Sequence, residues 1–292
     1  MLSPKSLIIL LIFIIIILGI YIYRTPTIVP SYRSSSSPSS KTCLESYDPH
    51  IFHKISFHSS MVHVTGPVMI NYWIQNKTGF ELGGPSHFTW APLGVYESAL
   101  RLDVTNFAAN TLWESNLKDN SDFVWKNHSK GKQYVRDAVD LKGIPSEFYD
   151  FVLASHVLEH IANPFKALLE WIRILKPNGV LLIILPLKTV TFDHKRDVVR
   201  LEHLIEDYQK QTTEADLSHL DEILRLHDLG IDQAAGNLEA FKARSMKNLE
   251  NRGLHQHVYD QELLYYMFMC LNLDVKLQKI WDNNNLIIGQ KR

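Results

Sequence analysis

The segment His156-Val157-Leu158-Glu159-His160 carries two imidazoles four residues apart and a carboxylate beside the second. On a helix that spacing sets both rings on one face, where they bind zinc while the glutamate serves as general base, as in inverted zinc-protease motifs. Such a site needs a helix of several turns and a third protein ligand from another element. Here the motif directly follows the apolar run Tyr149 to Ala154, and Pro164 opens a new helix four residues after His160. A short exit turn does not hold two imidazoles in helical register. The sequence therefore disfavours a metallopeptidase, and no metal site is expected.

A different chemistry suits Ser155 and His156, which stand at the carboxyl end of that run. Open α/β sheets place their ligands at such ends. His156 is equally a residue that caps the next turn through a hydrogen bond. Upstream, Phe80-Glu81-Leu82 ends in Gly83-Gly84-Pro85, a strand entering a tight turn where glycine lets the backbone approach a ligand.

The elements that must position these residues alternate. Tyr149 to Ala154 has little polar alternation, as in a strand covered on both faces. Asn163-Pro164 supplies an N-cap and a proline for the first helical position. Phe165, Leu168, Leu169, Ile172 and Leu175 then recur at helical spacing, with Trp171 packed among them. Lys176-Pro177-Asn178-Gly179 stops the helix, and Val180 to Leu185 is an unbroken apolar strand. Strand, helix, strand at this spacing is a βαβ unit, so the fold class is α/β with a parallel sheet. The stretch 188–260 is helical and polar, with Ala215 to Leu229 and Ala234 to Leu249 its best helices, and reads as an insertion that covers a pocket. Asp260 caps a further helix, and Val275 to Trp281 with Leu286 to Gly289 form a terminal hairpin.

Ahead of this body, Leu7 to Tyr23 is a run of seventeen residues without a charge. At 1.5 Å per residue it spans about 25 Å, near the lower limit for a hydrocarbon core. Tyr21 and Tyr23 sit where interfacial aromatics belong, and no small-residue cleavage site follows, so the run reads as an uncleaved single-pass anchor rather than a signal peptide. Its shortness favours an endomembrane. Residues 1–6 form a short tail, 24–42 a Ser/Pro-rich flexible stem, and 43–292 the folded domain. Orientation stays open: the flanking charges lean weakly towards a cytosolic body, whereas Asn76-Lys77-Thr78 and Asn127-His128-Ser129 are glycosylation acceptors for a lumenal one.

The chain has 292 residues, 46% of them hydrophobic, with 30 basic against 31 acidic side chains. It can bury a core, and no global field attracts nucleic acid. Two cysteines are too few for a disulfide-stapled secreted module or a four-thiolate zinc site.

Tyr149 through His160, followed by Asn163-Pro164 and Leu175-Lys176-Pro177-Asn178-Gly179, closely resembles the type-11 S-adenosylmethionine-dependent methyltransferases over about residues 78–187. The resemblance implies a Rossmann-like seven-stranded, mostly parallel sheet with helices on both faces, and S-adenosylmethionine as cofactor. Asp193 to Tyr208 and His255-Gln256-His257-Val258-Tyr259 are similar to segments of one subgroup of that family. By the same resemblance, Glu81, Gly83, Gly84 and Pro85 form the cofactor turn, with two glycines where the family has three, and Glu81 faces the cofactor ammonium. Asp103 then accepts the ribose hydroxyls, Asp137-Ala138 takes the adenine amino group, and Ser155 and His156 complete the site. A base is needed only where the acceptor must lose a proton. His194 is the first candidate, with Glu202 and His203 behind it, both also readable as helix surface. The acceptor is an unidentified small molecule, lipid, glycan or membrane-proximal protein. The alternative is an inactive methyltransferase-like scaffold on a membrane.

Overall fold

The central strands are apolar in both directions, so a sheet built from them must be covered twice. Phe80, Val152, Ala154, Leu181, Ile183 and Leu185 lie in one buried cluster, while their alternating neighbours Phe151, Leu153, Val180, Leu182 and Ile184 lie in another. The computed structural model describes Cys43, Leu44 and residues 66–292. The expected anchor at 7–23 and stem at 24–42 lie outside the described residues. Among those described, no helix is long and apolar enough to cross a membrane.

Eight strands form one sheet: β1 (Thr78–Leu82), β2 (Arg101–Asn106), β3 (Ser121–Trp125), β4 (His128–Val135), β5 (Tyr149–Ser155), β6 (Leu175–Pro186), β7 (Leu273–Trp281) and β8 (Asn284–Lys291). Their order is β3-β4-β2-β1-β5-β6-β8-β7. The run β4-β2-β1-β5-β6 is parallel, and β8 is antiparallel to both β6 and β7. Chain order departs in opposite directions from the β1–β5 pair, which opens a crevice at their carboxyl ends.

The expected count of seven is corrected to eight by β3, which pairs antiparallel with β4 through the turn Lys126-Asn127. Both turn residues have positive φ, 48° and 65°, the twist that matches a hairpin. Neither is glycine, so the sequence carries no strong hairpin signal there. The terminal hairpin β7–β8 forms as expected.

The principal helices are α1 (Gly66–Ile74), α2 (Pro164–Ile174), α3 (Leu201–Lys210), α4 (Leu220–Leu226), α5 (Leu238–Ser245) and α6 (Gln261–Cys270). Asn163 caps α2 by accepting from the Lys166 amide at 3.1 Å, with Pro164 in its first turn. Trp171 packs in the core and donates from Nε1 to the Ala138 carbonyl at 2.9 Å, which fixes a turn of the site. Asp260 caps α6 through the Leu263 amide at 2.8 Å. The two cysteines form one buried disulfide, Cys43–Cys270, across 227 residues of sequence.

Candidate functional site

A cavity of about 290 Å³ opens at the carboxyl ends of β1, β2, β4 and β5. Its wall includes Gly83, Pro85 and Ser86 after β1, Asn106 and Phe107 at the end of β2, Asp137 and Ala138 after β4, and Ser155, His156 and His160 after β5. Glu214 and Arg252 reach it from the helical insertion. Six sequence-derived positions thus converge: Gly83, Pro85, Asp137, Ala138, Ser155 and His156.

Glu81 does not face the cavity, and its assignment to the cofactor ammonium is corrected. Its side chain is fully buried beneath the turn, where Oε1 accepts from Thr89 Oγ at 2.6 Å and Oε2 from the Tyr96 hydroxyl. Gly84 is also absent from the wall; a Cβ there would stand 2.4 Å from Glu81 Oε2, so glycine is required by the carboxyl below it. Gly83, at φ +70°, is the residue of the pair that touches the cavity.

Burial raises the Glu81 carboxyl from its ordinary 4.5 to about 7, against the lowering effect of its Thr89 and Tyr96 hydrogen bonds. Because the folded value is the higher one, the linked stability is fully present below pH 4.5 and is lost as pH rises through 7. The full loss is about 3 kcal/mol. Thermal melts of Glu81→Gln against the parent are expected to diverge across this window, the parent losing stability and the variant not. Parallel profiles would contradict the assignment.

Asp103 is likewise corrected. β2 continues to Asn106, so Asp103 sits mid-strand, fully buried, three residues short of the ligand end. Its carboxylate accepts from Arg101 Nε and a terminal guanidinium nitrogen, each at 2.9 Å, from the Lys132 amide at 2.8 Å and from the Tyr149 hydroxyl at 2.7 Å. That network ties β2, β4 and β5 together and leaves no acceptor for a ligand. Asn106 occupies the strand end instead, donating to the Gly84 carbonyl at 2.7 Å.

Asp137 lines the cavity with one oxygen accepting from the Val139 amide at 3.1 Å and the other from Arg252 at 2.9 Å. Arg252 also pairs with Glu214 and lies 5.4 Å over the Phe107 ring, so the insertion is clamped to the side of the cavity that Asp137 lines. Ser155 is 4% exposed, and its Oγ has no hydrogen-bond partner. That hydroxyl is available to a ligand entering the cavity.

His156 has φ 55° and stacks on Phe88 at 4.7 Å, with Nε2 2.7 Å from Asn284 Oδ1. Leu158–His160 is a single 3-10 turn, so the two imidazoles of the motif diverge rather than share a helical face. The zinc-protease geometry is not formed. His160 instead donates from Nδ1 to the Leu254 carbonyl at 3.0 Å, which leaves Nε2 as the ring's acceptor. Burial and the neighbouring His255 hold His160 well below the usual imidazole range. A neutral imidazole on the cavity wall is the arrangement a general base requires. In the sequence His160 reads only as a zinc ligand, and nothing local distinguishes the two roles.

The three proposed bases lie outside this wall. His194 is held by Asp228 at 2.9 Å, a carboxylate that Lys195 also engages at 2.9 Å. Glu202 sits in the first turn of α3. His203, one residue on, faces other histidines of the insertion.

Residues 94–183 match the sequence model of a known family, described as Methyltransferase domain. Over these residues the chain is similar to the methyltransferase domain family. The resemblance read from the strand, turn and helix motif is borne out, and the family's cofactor is S-adenosylmethionine. No curated protein matches the chain. Among solved structures, a SAM-dependent methyltransferase from Aquifex aeolicus is 12% identical, over 84% of this chain and 100% of that one, with a TM-score of 0.42. A SAM-dependent methyltransferase from Methanosarcina mazei is 14% identical, over 76% of this chain and 96% of that one, with a TM-score of 0.42. A possible histamine N-methyltransferase from Thermotoga maritima is 14% identical, over 76% and 86% respectively, with a TM-score of 0.39.

The wall of the cavity fits the cofactor. Gly83 gives backbone access, Asp137 presents a carboxylate, and the Ser155 hydroxyl is unpartnered.

Proposed function

We propose that this chain is a membrane-anchored methyltransferase whose catalytic body faces an oxidising lumen and whose acceptor enters beneath the helical insertion. The single observation that carries the catalytic part is the cavity at the strand ends, with the buried, unpartnered Ser155 hydroxyl on its wall. Gly83, Asn106, Asp137, Ala138 and Ser155 would hold S-adenosylmethionine. When bound, that cofactor supplies a methyl group activated by the sulfonium. The protein's own contribution is orientation and exclusion of water, with Arg252 and Glu214 holding the insertion over the opening. Where the acceptor must lose a proton, His160 Nε2 takes it.

The experiment is methyl transfer from labelled cofactor to lumenal membrane extracts. For an acceptor of that kind, His160→Gln is expected to slow turnover by about 100-fold, far more than it weakens cofactor binding. Undiminished turnover would remove His160 from the reaction. The second reading, a scaffold without turnover, draws on the two-glycine turn and on the absence of a carboxylate at the end of β2. Absence of transfer to every fraction, with the cofactor bound, would favour it.

The lumenal side is supported by the Cys43–Cys270 disulfide, because such bonds persist in oxidising compartments. It is also supported by Asn127-His128-Ser129, all three exposed at the tip of the β3–β4 hairpin, where an oligosaccharide can be attached. This reverses the weak lean of the flanking charges. An acceptor near a lumenal membrane surface, whether lipid, glycan or protein, follows from the tether. In sealed microsomes the body is expected to resist added protease and to carry a removable glycan that Asn127→Gln lacks. Digestion without detergent would contradict the orientation.

A further inference from the structure

The helical insertion gathers four ligand-type side chains around one point away from the cofactor cavity. His203 and Asp207 stand one turn apart on α3, His219 precedes α4, and His257 lies just before α6. His203 Nε2 is 3.0 Å from His219 Nε2 and 3.4 Å from Asp207 Oδ2. The same Asp207 oxygen is 3.2 Å from His257 Nε2. Donor atoms of the three imidazoles all lie within 4.8 Å of one another. Four donors on one zinc, at about 2.0–2.1 Å in a tetrahedron, stand roughly 3.3–3.4 Å apart. Three of the separations, 3.0, 3.4 and 3.2 Å, lie close to that spacing.

Hydrogen bonding accounts for the His203–His219 contact but not for the rest of the group. His257 is 2% exposed, yet neither ring nitrogen has a hydrogen-bond partner, and Asp207 Oδ2 is buried without one. The carboxylate meets His257 Nε2 only in an ion-pair contact at 3.2 Å. Leaving such atoms unpaired in the interior is costly. The rest of the aspartate is committed elsewhere. Oδ1 accepts from Thr212 Oγ at 3.0 Å, and the main-chain carbonyl accepts from Asn163 Nδ2 at 3.0 Å. Oδ2 alone is left to the imidazoles.

We propose that His203, Asp207, His219 and His257 form a structural zinc site that ties the segments of the insertion to one another. Four protein ligands close the shell and leave no position for a substrate, which is the mark of a structural rather than a catalytic zinc. The insertion has reason to need one, since the buried part of its own apolar cluster is only Leu220, Ile223, Ala235, Phe241 and Leu254. Three separate segments meet at the metal, among them the one that continues from Arg252 and its contact with the cavity. The proposal stands independently of the methyltransferase reading. It also revises the expectation that the chain holds no metal, and it gives His203 a role other than base.

The test is elemental analysis of the full chain, purified in detergent with any histidine tag removed. Zinc close to one equivalent per chain is expected. His257→Ala is expected to lose it, and so is His203→Ala, whose ring is half-buried and whose loss the fold should tolerate. Stripping the parent with a chelator should lower its Tm by about 5 °C or more, and added zinc should restore it. Cobalt in place of zinc should show the visible bands of a tetrahedral site, a readout that needs no variant. A parent without stoichiometric metal, or variants that keep theirs, would overturn the proposal.

Discussion

Gly83→Val is expected to weaken S-adenosylmethionine binding by at least about 100-fold, or roughly 2.7 kcal/mol, in a protein that still folds. Gly83 holds φ +70°, and a Cβ there would stand 2.6 Å from Val157 Cγ2. A β-branched residue strains that backbone by about 1–3 kcal/mol. To relieve the clash, either the turn or Val157 must move, and both line the cavity. Gly143 provides the control, since it has φ +84° with nothing within 4 Å of its would-be Cβ. Gly143→Ala therefore carries comparable backbone strain but no collision with the site, and its binding should match the parent. The measurement is the rise in Tm produced by saturating cofactor, which follows affinity by mass action. Equal rises in Gly83→Val and the parent would mean that the turn does not cradle the ligand.

The second large effect concerns the disulfide. Removing Cys43–Cys270 as the double alanine variant is expected to cost about 2–5 kcal/mol, near the upper end because the bond closes so long a loop. The bridge spans 227 residues and ties Cys43 to the carboxyl end of α6, within the cluster that packs one face of the sheet. For a body of this size the Tm should fall by about 6 °C or more. Reductant should lower the parent's Tm by a similar amount and leave the variant unchanged. A parent indifferent to reductant would contradict the structural role and weaken the case for a lumenal body.

Local patterns carried much of the fold. The strands β1, β5 and β6 were legible as apolar runs, and α2 as Asn163-Pro164 followed by helical spacing. Asp137, Ala138, Ser155 and His156 follow turns whose positions relative to those runs are local, and all four line the cavity. What escaped was set by distant partners. Asp103 looks like a strand-ending acid, but its hydrogen-bond donors include Tyr149, 46 residues away. Glu81 looks like a ligand until Tyr96, fifteen residues on, is folded over it. His203 reads as helix surface because His219 and His257 come from other segments. The β3–β4 hairpin turns on Lys126-Asn127, where the asparagine suits positive φ but the glycine of the strongest hairpin signal is missing.

The central claim, that the cavity at the ends of β1, β2, β4 and β5 is the cofactor site, is tested most directly by calorimetric titration of S-adenosylmethionine into the full chain and into Ser155→Phe. Ser155 is buried on the cavity wall, so a phenyl ring there fills the space a nucleoside needs. One-to-one binding by the parent, lost in Ser155→Phe while the variant stays folded, is the predicted result. Binding that survives the phenylalanine, or no binding by a well-folded parent, would contradict the account.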